Sequence, residues 1–191
     1  DIPVILLSDK NLSESSANTK DFNKEKEEKI ESQKVIPGKG QKIKLYNSYE
    51  HDDEGFSVEG AEESKKAMDL RLSKVEKILE AMPKVNLYGS DRAKKLIVSW
   101  GSTKGAILEA LKGMENKEDY AFLQIKGMWP LDPKISQIIN AFKEKILVEN
   151  NATAQLETLL KSQMTIGFTK KILKYDGRPF FPEEIKEALN D

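Results

Sequence analysis

The chain has 191 residues, with 31 Lys and Arg nearly cancelling 32 Asp and Glu, so no field over the whole molecule draws it to nucleic acid or to an anionic membrane. It contains no cysteine, which excludes disulfides, thiolate nucleophiles and cysteine-held iron or zinc. Its single histidine, His51, leaves no room for an imidazole-built zinc site or a serine–histidine triad elsewhere along the chain. The longest apolar runs, such as Val4-Ile5-Leu6-Leu7 and Leu96-Ile97-Val98, fall far short of the roughly 20 residues a membrane helix needs, so a soluble cytoplasmic protein is expected.

From Ile2 to Leu7 the run is apolar and β-branched, as in a strand buried on both faces of a parallel sheet. The first residues look like the middle of a domain, which suggests a fragment or a processed product. Asp9 and Lys10 follow at that strand's carboxyl end, where ligands bind in open α/β sheets; alternatively Ser8 or Asp9 caps a short helix starting near Asn11. Residues 14–34 hold hardly any large apolar side chains beyond Phe22 and Ile30 and read as a solvated linker. Ile36-Pro37-Gly38-Lys39-Gly40 marks a turn. The loop around His51, Asp52, Asp53 and Glu54 lacks calcium-loop spacing and reads as an acidic turn.

Between Glu62 and Met82 the residues Met68, Leu72, Val75, Leu79 and Met82 recur at spacings of four and three, which predicts an amphipathic helix that packs on a domain or crosses to a partner chain. After Pro83 short apolar runs alternate with helical patterns. Strands are expected at 95–99, 120–125, 145–148 and 171–174, and helices at 103–112, 133–142, 152–162 and 182–189. This alternation predicts an α/β domain of three layers around a mostly parallel sheet. Asp132 is the expected N-cap before Pro133, and Gly113 follows a helix end.

Two motifs sit at strand ends. Trp100-Gly101-Ser102-Thr103-Lys104-Gly105 resembles a phosphate-cradling turn, and makes Gly101, Ser102, Thr103 and Lys104 the candidate anion site. It matches neither a Walker loop nor the dinucleotide fingerprint. The alternative is that Ser102 or Thr103 caps the helix while Gly101 and Gly105 allow tight strand–helix packing. Glu149-Asn150-Asn151 ends another strand; it reads as a polar cluster fixing a helix start or an interface contact, with a general-base role for Glu149 as the alternative.

Taken in order, Pro3-Val4-Ile5-Leu6-Leu7-Ser8-Asp9-Lys10, Ile36-Pro37-Gly38, Glu50-His51-Asp52-Asp53-Glu54-Gly55, Val98 to Gly105, Trp129-Pro130-Leu131, Val148-Glu149-Asn150-Asn151 with Gln155, and Lys174-Tyr175-Asp176-Gly177-Arg178-Pro179-Phe180 resemble the alpha subunits of 2-oxoacid:ferredoxin oxidoreductases. One departure is Ala154-Gln155, where that family usually has Gly-Gln. The resemblance implies the end of a pyrimidine-type thiamine-binding domain at 1–16, a linker and connecting helix at 17–83, and a domain like the C-terminal domain of transketolase at 84–191. It implies a coenzyme A-acylating enzyme that decarboxylates a 2-oxoacid such as pyruvate or 2-oxoglutarate and passes electrons to ferredoxin. Thiamine diphosphate, Mg2+ and a [4Fe–4S] cluster would lie mainly on a smaller beta-type partner subunit, and this segment alone would bind none of them. Its role would be mostly assembly, with the remainder of the alpha subunit as a further partner. Asp9, Lys10 and His51 are the candidate neighbours of the active site. Two other readings remain: a free-standing flavodoxin-like module that binds an anion or a partner, and a piece of a transketolase-like thiamine enzyme.

Overall fold

The computed structural model describes Ile5, residues 10–16, Leu45 and residues 47–191. The expected strand at 2–7, Asp9 and most of the linker at 14–34 lie outside the described residues, apart from Ile5 and 14–16. In chain order the elements are α1 Lys10–Glu14, α2 Ala61–Ala81, β1 Asn86–Tyr88, β2 Lys95–Trp100, α3 Thr103–Lys112, a 3-10 turn Lys117–Asp119, β3 Tyr120–Ile125, α4 Lys134–Asn140, β4 Glu144–Glu149, α5 Gln155–Met164, β5 Lys170–Leu173 and α6 Pro182–Asn190. The described residues form two units. One holds Ile5 and residues 16, 45 and 47–78, and the other holds 10–15 and 79–191.

In the first unit a tight loop precedes α2. The Asp52 carboxylate accepts the N–H groups of Glu54 at 3.0 Å and Phe56 at 2.9 Å, and the Asn47 amide donates to the Gly55 carbonyl at 2.9 Å. Gly55 is buried at φ +96°, and a Cβ there would stand 2.6 Å from the Leu45 carbonyl oxygen, so only glycine fits. Arg71 of α2 grips Glu50 through both carboxylate oxygens, at 2.9 and 2.5 Å. That hydrogen bonding holds the Glu50 carboxyl below its ordinary value, against the opposing effect of burial.

The helix α2 matches the stripe read from the sequence, yet no residue of it is buried. Met68 is 49% exposed and Leu72 60%. The exposed part of the apolar stripe is thus its first half, whereas Leu79 and Met82 at its end are half-buried.

In the second unit the sheet order is β1-β3-β2-β4-β5. β3, β2, β4 and β5 run parallel, and β1 is antiparallel to β3. Because side chains alternate along a strand, each strand feeds two cores. Leu96 and Val98 of β2, Ala121 and Leu123 of β3 and Leu147 of β4 meet Ile135 and Ile139 of α4 and Leu156 and Leu160 of α5. Ile97, Phe122, Ile146 and Ile172 face the other way, against Ile107 of α3 and Ile185 and Leu189 of α6. The result is the three-layer α/β arrangement expected from the alternation.

The short β1 was not legible in the sequence, since three residues carry no period. Its Tyr88 stacks on Phe122 with ring centroids 5.5 Å apart. The helix expected to begin at Ala152 starts instead at Gln155. Ala154 adopts a left-handed conformation at φ +52°, ψ +56°, and the Asn151 side chain accepts the N–H of Thr153 at 3.1 Å, so the intervening residues form a turn. A position that needs positive φ favours glycine, which gives a backbone reason for the Gly-Gln of the resembling family. Ahead of α4, the Asp132 side chain accepts the Lys134 N–H at 2.9 Å, as expected of a capping residue.

Thr165, which ends α5, also lies at positive φ, +56°, and is exposed. A β-branched residue is poorly suited to that region, and its side chain buries little there. Thr165→Gly is expected to raise stability by about 1 kcal/mol, the relief of left-handed strain less the added freedom of the unfolded chain. Urea unfolding that shows a loss of stability would contradict this.

Glu157 of α5 is buried at 5% exposure and is gripped by Lys171 at 2.5 Å, by Lys161 at 3.0 Å and by the Phe168 N–H at 3.3 Å. Burial pushes its carboxyl up, but the two lysines and the amide outweigh it and hold the group below its ordinary value of 4.5. A folded value below the unfolded one means that the stabilisation is whole above the unfolded pKa and fades as pH falls through the folded one. Glu157→Gln is therefore expected to be destabilising at pH 7, with the gap to the parent closing below about pH 4. A gap independent of pH would show that the carboxylate's charge contributes nothing.

Candidate functional site at the carboxyl edge of the sheet

The chain leaves β2 through α3 on one face of the sheet and leaves β4 through α5 on the other, so the loops after these adjacent strands diverge. Such a switch point is where open α/β sheets bind ligands. Both motifs singled out in the sequence stand there, one after β2 and one after β4.

A buried carboxylate ties them together. Glu149 is 1% exposed, and its oxygens accept the Trp100 indole N–H at 3.1 Å, the Asn151 amide at 2.9 Å and the Leu156 backbone N–H at 3.1 Å. All of these donors come from the protein, so Glu149 works as the polar cluster that fixes the start of α5 and clamps the loop after β2 to the loop after β4.

Around Gly101 the structure corrects the capping expectation. Ser102 makes no side-chain cap, and Thr103 turns its hydroxyl back to within 2.8 Å of the Trp100 carbonyl and against the Ser99 hydroxyl, which lies 2.5 Å from the Val148 carbonyl; the two hydroxyl protons serve two of these three contacts. Gly101 needs its φ of +65°, as a turn glycine should. Gly105 packs against nothing: a Cβ there would have no heavy atom within 4 Å. Tight packing is therefore not its role.

Two clefts open at this edge. One, of about 640 Å³, is lined by Trp100, Gly101, Ser102, Lys104, Gly105 and Lys126 among others. Lys104 lies 5.6 Å from the centre of the Tyr88 ring, and the hydrogen bond from Asn86, aided by Lys104, lowers the Tyr88 hydroxyl's pKa against the opposing effect of burial. The other, of about 590 Å³, is lined by Lys10, Ser102, Asn150, Lys174, Tyr175 and Arg178 among others. The structure thus brings Lys10 beside the Gly101–Lys104 turn. Asp9 lies outside the described residues. His51 belongs to the other unit, is exposed, and its Nδ1 lies 3.3 Å from the Tyr49 carbonyl oxygen.

Lys126 and Arg178 had not been singled out as site residues. Arg178 lay within a recognisable string, but only the assembly of three strand ends with α1 puts it in a cleft. Among the described residues no group of His, Cys, Asp or Glu is arranged to hold a metal ion, and no helix is long and apolar enough to cross a membrane.

Sheet order, helices on both faces and clefts at the carboxyl edge define an open, mostly parallel α/β domain. No family model matches the chain. It is 36% identical over 149 residues to the 2-oxoacid:ferredoxin oxidoreductase subunit alpha of Saccharolobus solfataricus, covering 75% of this chain and 24% of that protein. It is 32% identical over 155 residues to subunit alpha of 2-oxoacid:ferredoxin oxidoreductase 1 of Sulfurisphaera tokodaii, covering 78% and 24%. A solved 2-oxoglutarate:ferredoxin oxidoreductase from Magnetococcus marinus shares the fold, with a TM-score of 0.72 at 21% identity over 82% of this chain and 28% of that one. Over three quarters of its length the chain is homologous to alpha subunits of 2-oxoacid:ferredoxin oxidoreductases, and it spans about a quarter of the length of the curated relatives it matches.

Proposed function

We propose that this chain works as part of the alpha subunit of a coenzyme A-acylating 2-oxoacid:ferredoxin oxidoreductase, and that its own contribution is structural and subunit-assembling. The observation that carries the reading is the 30–36% identity to such subunits over three quarters or more of the chain. In this reading residues 1–16 end a pyrimidine-type thiamine-binding domain, 17–83 connect, and 84–191 correspond to the C-terminal domain of transketolase. The Magnetococcus marinus enzyme was solved with 2-oxoglutarate, coenzyme A and succinyl-CoA bound, which supports a coenzyme A-linked reaction for the family.

Thiamine diphosphate with Mg2+ and a [4Fe–4S] cluster are the groups this family implies. A chain without cysteine does not fit a cluster. The cluster therefore belongs outside this segment, and the resemblance to the family is what assigns it and the diphosphate site to a beta-type partner subunit, with ferredoxin as acceptor. Lys10, at the carboxyl edge, and its sequence neighbour Asp9 are kept as proposed neighbours of the active centre, together with His51. The exposed first half of the α2 stripe, Met68 and Leu72, suits a segment that docks elsewhere in an assembly.

The test is affinity purification of the tagged chain from its source cells. A copurifying subunit rich in Cys-x-x-Cys, and 2-oxoacid-dependent dye reduction by the complex but not by the chain alone, are expected. Dye reduction by the isolated chain, or a purified complex without such a subunit, would overturn the reading.

A further inference from the structure

The larger cleft holds a glycine that the described chain gives no reason for. Gly105 is the third residue of α3, a place where alanine would serve the helix better. A positive φ or a crowding neighbour would call for glycine, and Gly105 has neither: its φ lies outside the left-handed region, and no described atom stands within 4 Å of where a Cβ would be. The charges of the cleft are equally unmatched. Lys104 and Lys126 line it, no carboxylate does, and neither lysine has an ion pair among the described residues. Leu12, on the rim, is 49% exposed.

These features fit a surface that a polypeptide covers. Without a Cβ at 105 another backbone can come close to α3, and carboxylates on that segment can pair with the two lysines. Chain connectivity names the occupant. Asn11 and Leu12 of α1 line this cleft and Lys10 lines the next, so the chain ahead of Lys10 sets out from the carboxyl edge. In the family reading, on which this inference rests, residues 1–16 close an upstream domain, and the matched region is only 24% of the Saccharolobus solfataricus subunit.

We propose that the face formed by Leu12, Trp100, Lys104, Gly105 and Lys126 is the seat of the upstream domain of the same alpha polypeptide, which lays an acidic segment across Gly105. The Gly101–Lys104 turn then serves as a docking edge between domains.

The test compares the alpha polypeptide that carries this chain, purified from its source cells, with this chain alone. Acetylation of Lys104 and Lys126 by a succinimidyl ester, read by peptide mass spectrometry, is expected to be slower by about tenfold or more in the whole polypeptide. Carbodiimide, which joins a lysine to a carboxylate in contact with it, should link one of them to an Asp or Glu ahead of Asp1. Gly105→Leu should leave urea unfolding of the chain alone unchanged or improved, yet restore the reactivity of both lysines in the whole polypeptide. Lysines equally reactive in both forms, or a Gly105→Leu variant that leaves them protected, would overturn the interface. Loss of stability in the Gly105→Leu chain alone would do the same, by showing that Gly105 serves this chain's own fold. Cross-links to a beta-type subunit or to a second copy of this chain, or a natural polypeptide with no domain ahead of Asp1, would overturn the occupant. Copurification of a cluster-bearing subunit tests the family reading separately, since the lysine readout is taken whether or not that subunit is present.

Discussion

Glu149→Ala is expected to cost about 3 kcal/mol of stability. The carboxylate is buried and is the acceptor for three donors: the Trp100 indole N–H, the Asn151 amide and the Leu156 N–H. Truncation leaves those donors without their acceptor in a place water does not reach, at roughly 1 kcal/mol or more each. It also unties the loop after β2 from the loop after β4. Glu149→Gln keeps one acceptor oxygen but turns an amide NH2 toward donors, so it should lose an intermediate amount, about 1–2 kcal/mol. Urea unfolding measures both losses. Indole fluorescence reports the local change, because Trp100 is one of only two tryptophans in the chain. A loss below about 1 kcal/mol for Glu149→Ala would show that the carboxylate is not the clamp described here.

Phe122→Ala carries the largest expected loss, about 3–5 kcal/mol, the range for deleting a buried aromatic ring from a close-packed core. Phe122 is fully buried at the centre of β3, faces Ile97 across the parallel ladder and Tyr88 across the antiparallel one, and stacks on the Tyr88 ring. The core that it shares with Ile107 of α3 and Ile185 of α6 has no other ring of its size wholly buried. Tyr88→Ala, which removes a half-buried partner from the edge strand, should cost less than half as much. Comparable losses for the two variants would mean that β1, rather than the central strands, anchors that face.

Much of the fold was legible in the residues. The apolar runs at Leu96-Ile97-Val98 and Ala121-Phe122-Leu123, flanked by helical periods, identify strands buried on both faces and hence a parallel sheet, because only such strands can be apolar at every position. The α2 stripe identified a helix for the same reason of period. Element starts were less legible where a side chain overrode propensity: Asn151 and the left-handed Ala154 delay α5 by three residues, and Thr103 uses its hydroxyl on the preceding turn rather than as a cap.

The candidate site shows the same division. Gly101-Ser102-Thr103-Lys104 and Glu149-Asn150-Asn151 could be recognised as strand-end motifs from local sequence, since strand ends and turn residues are local properties. That Glu149 binds Trp100, that Asn150 holds Arg178 and that Lys10 shares a cleft with both could not, since these residues are separated by tens of positions and meet only through the strand order. Local periodicity and composition by themselves determined an α/β chain without thiol chemistry; which side chains face one another across the switch point was decided by tertiary packing, because crossovers that skip a strand set the neighbours.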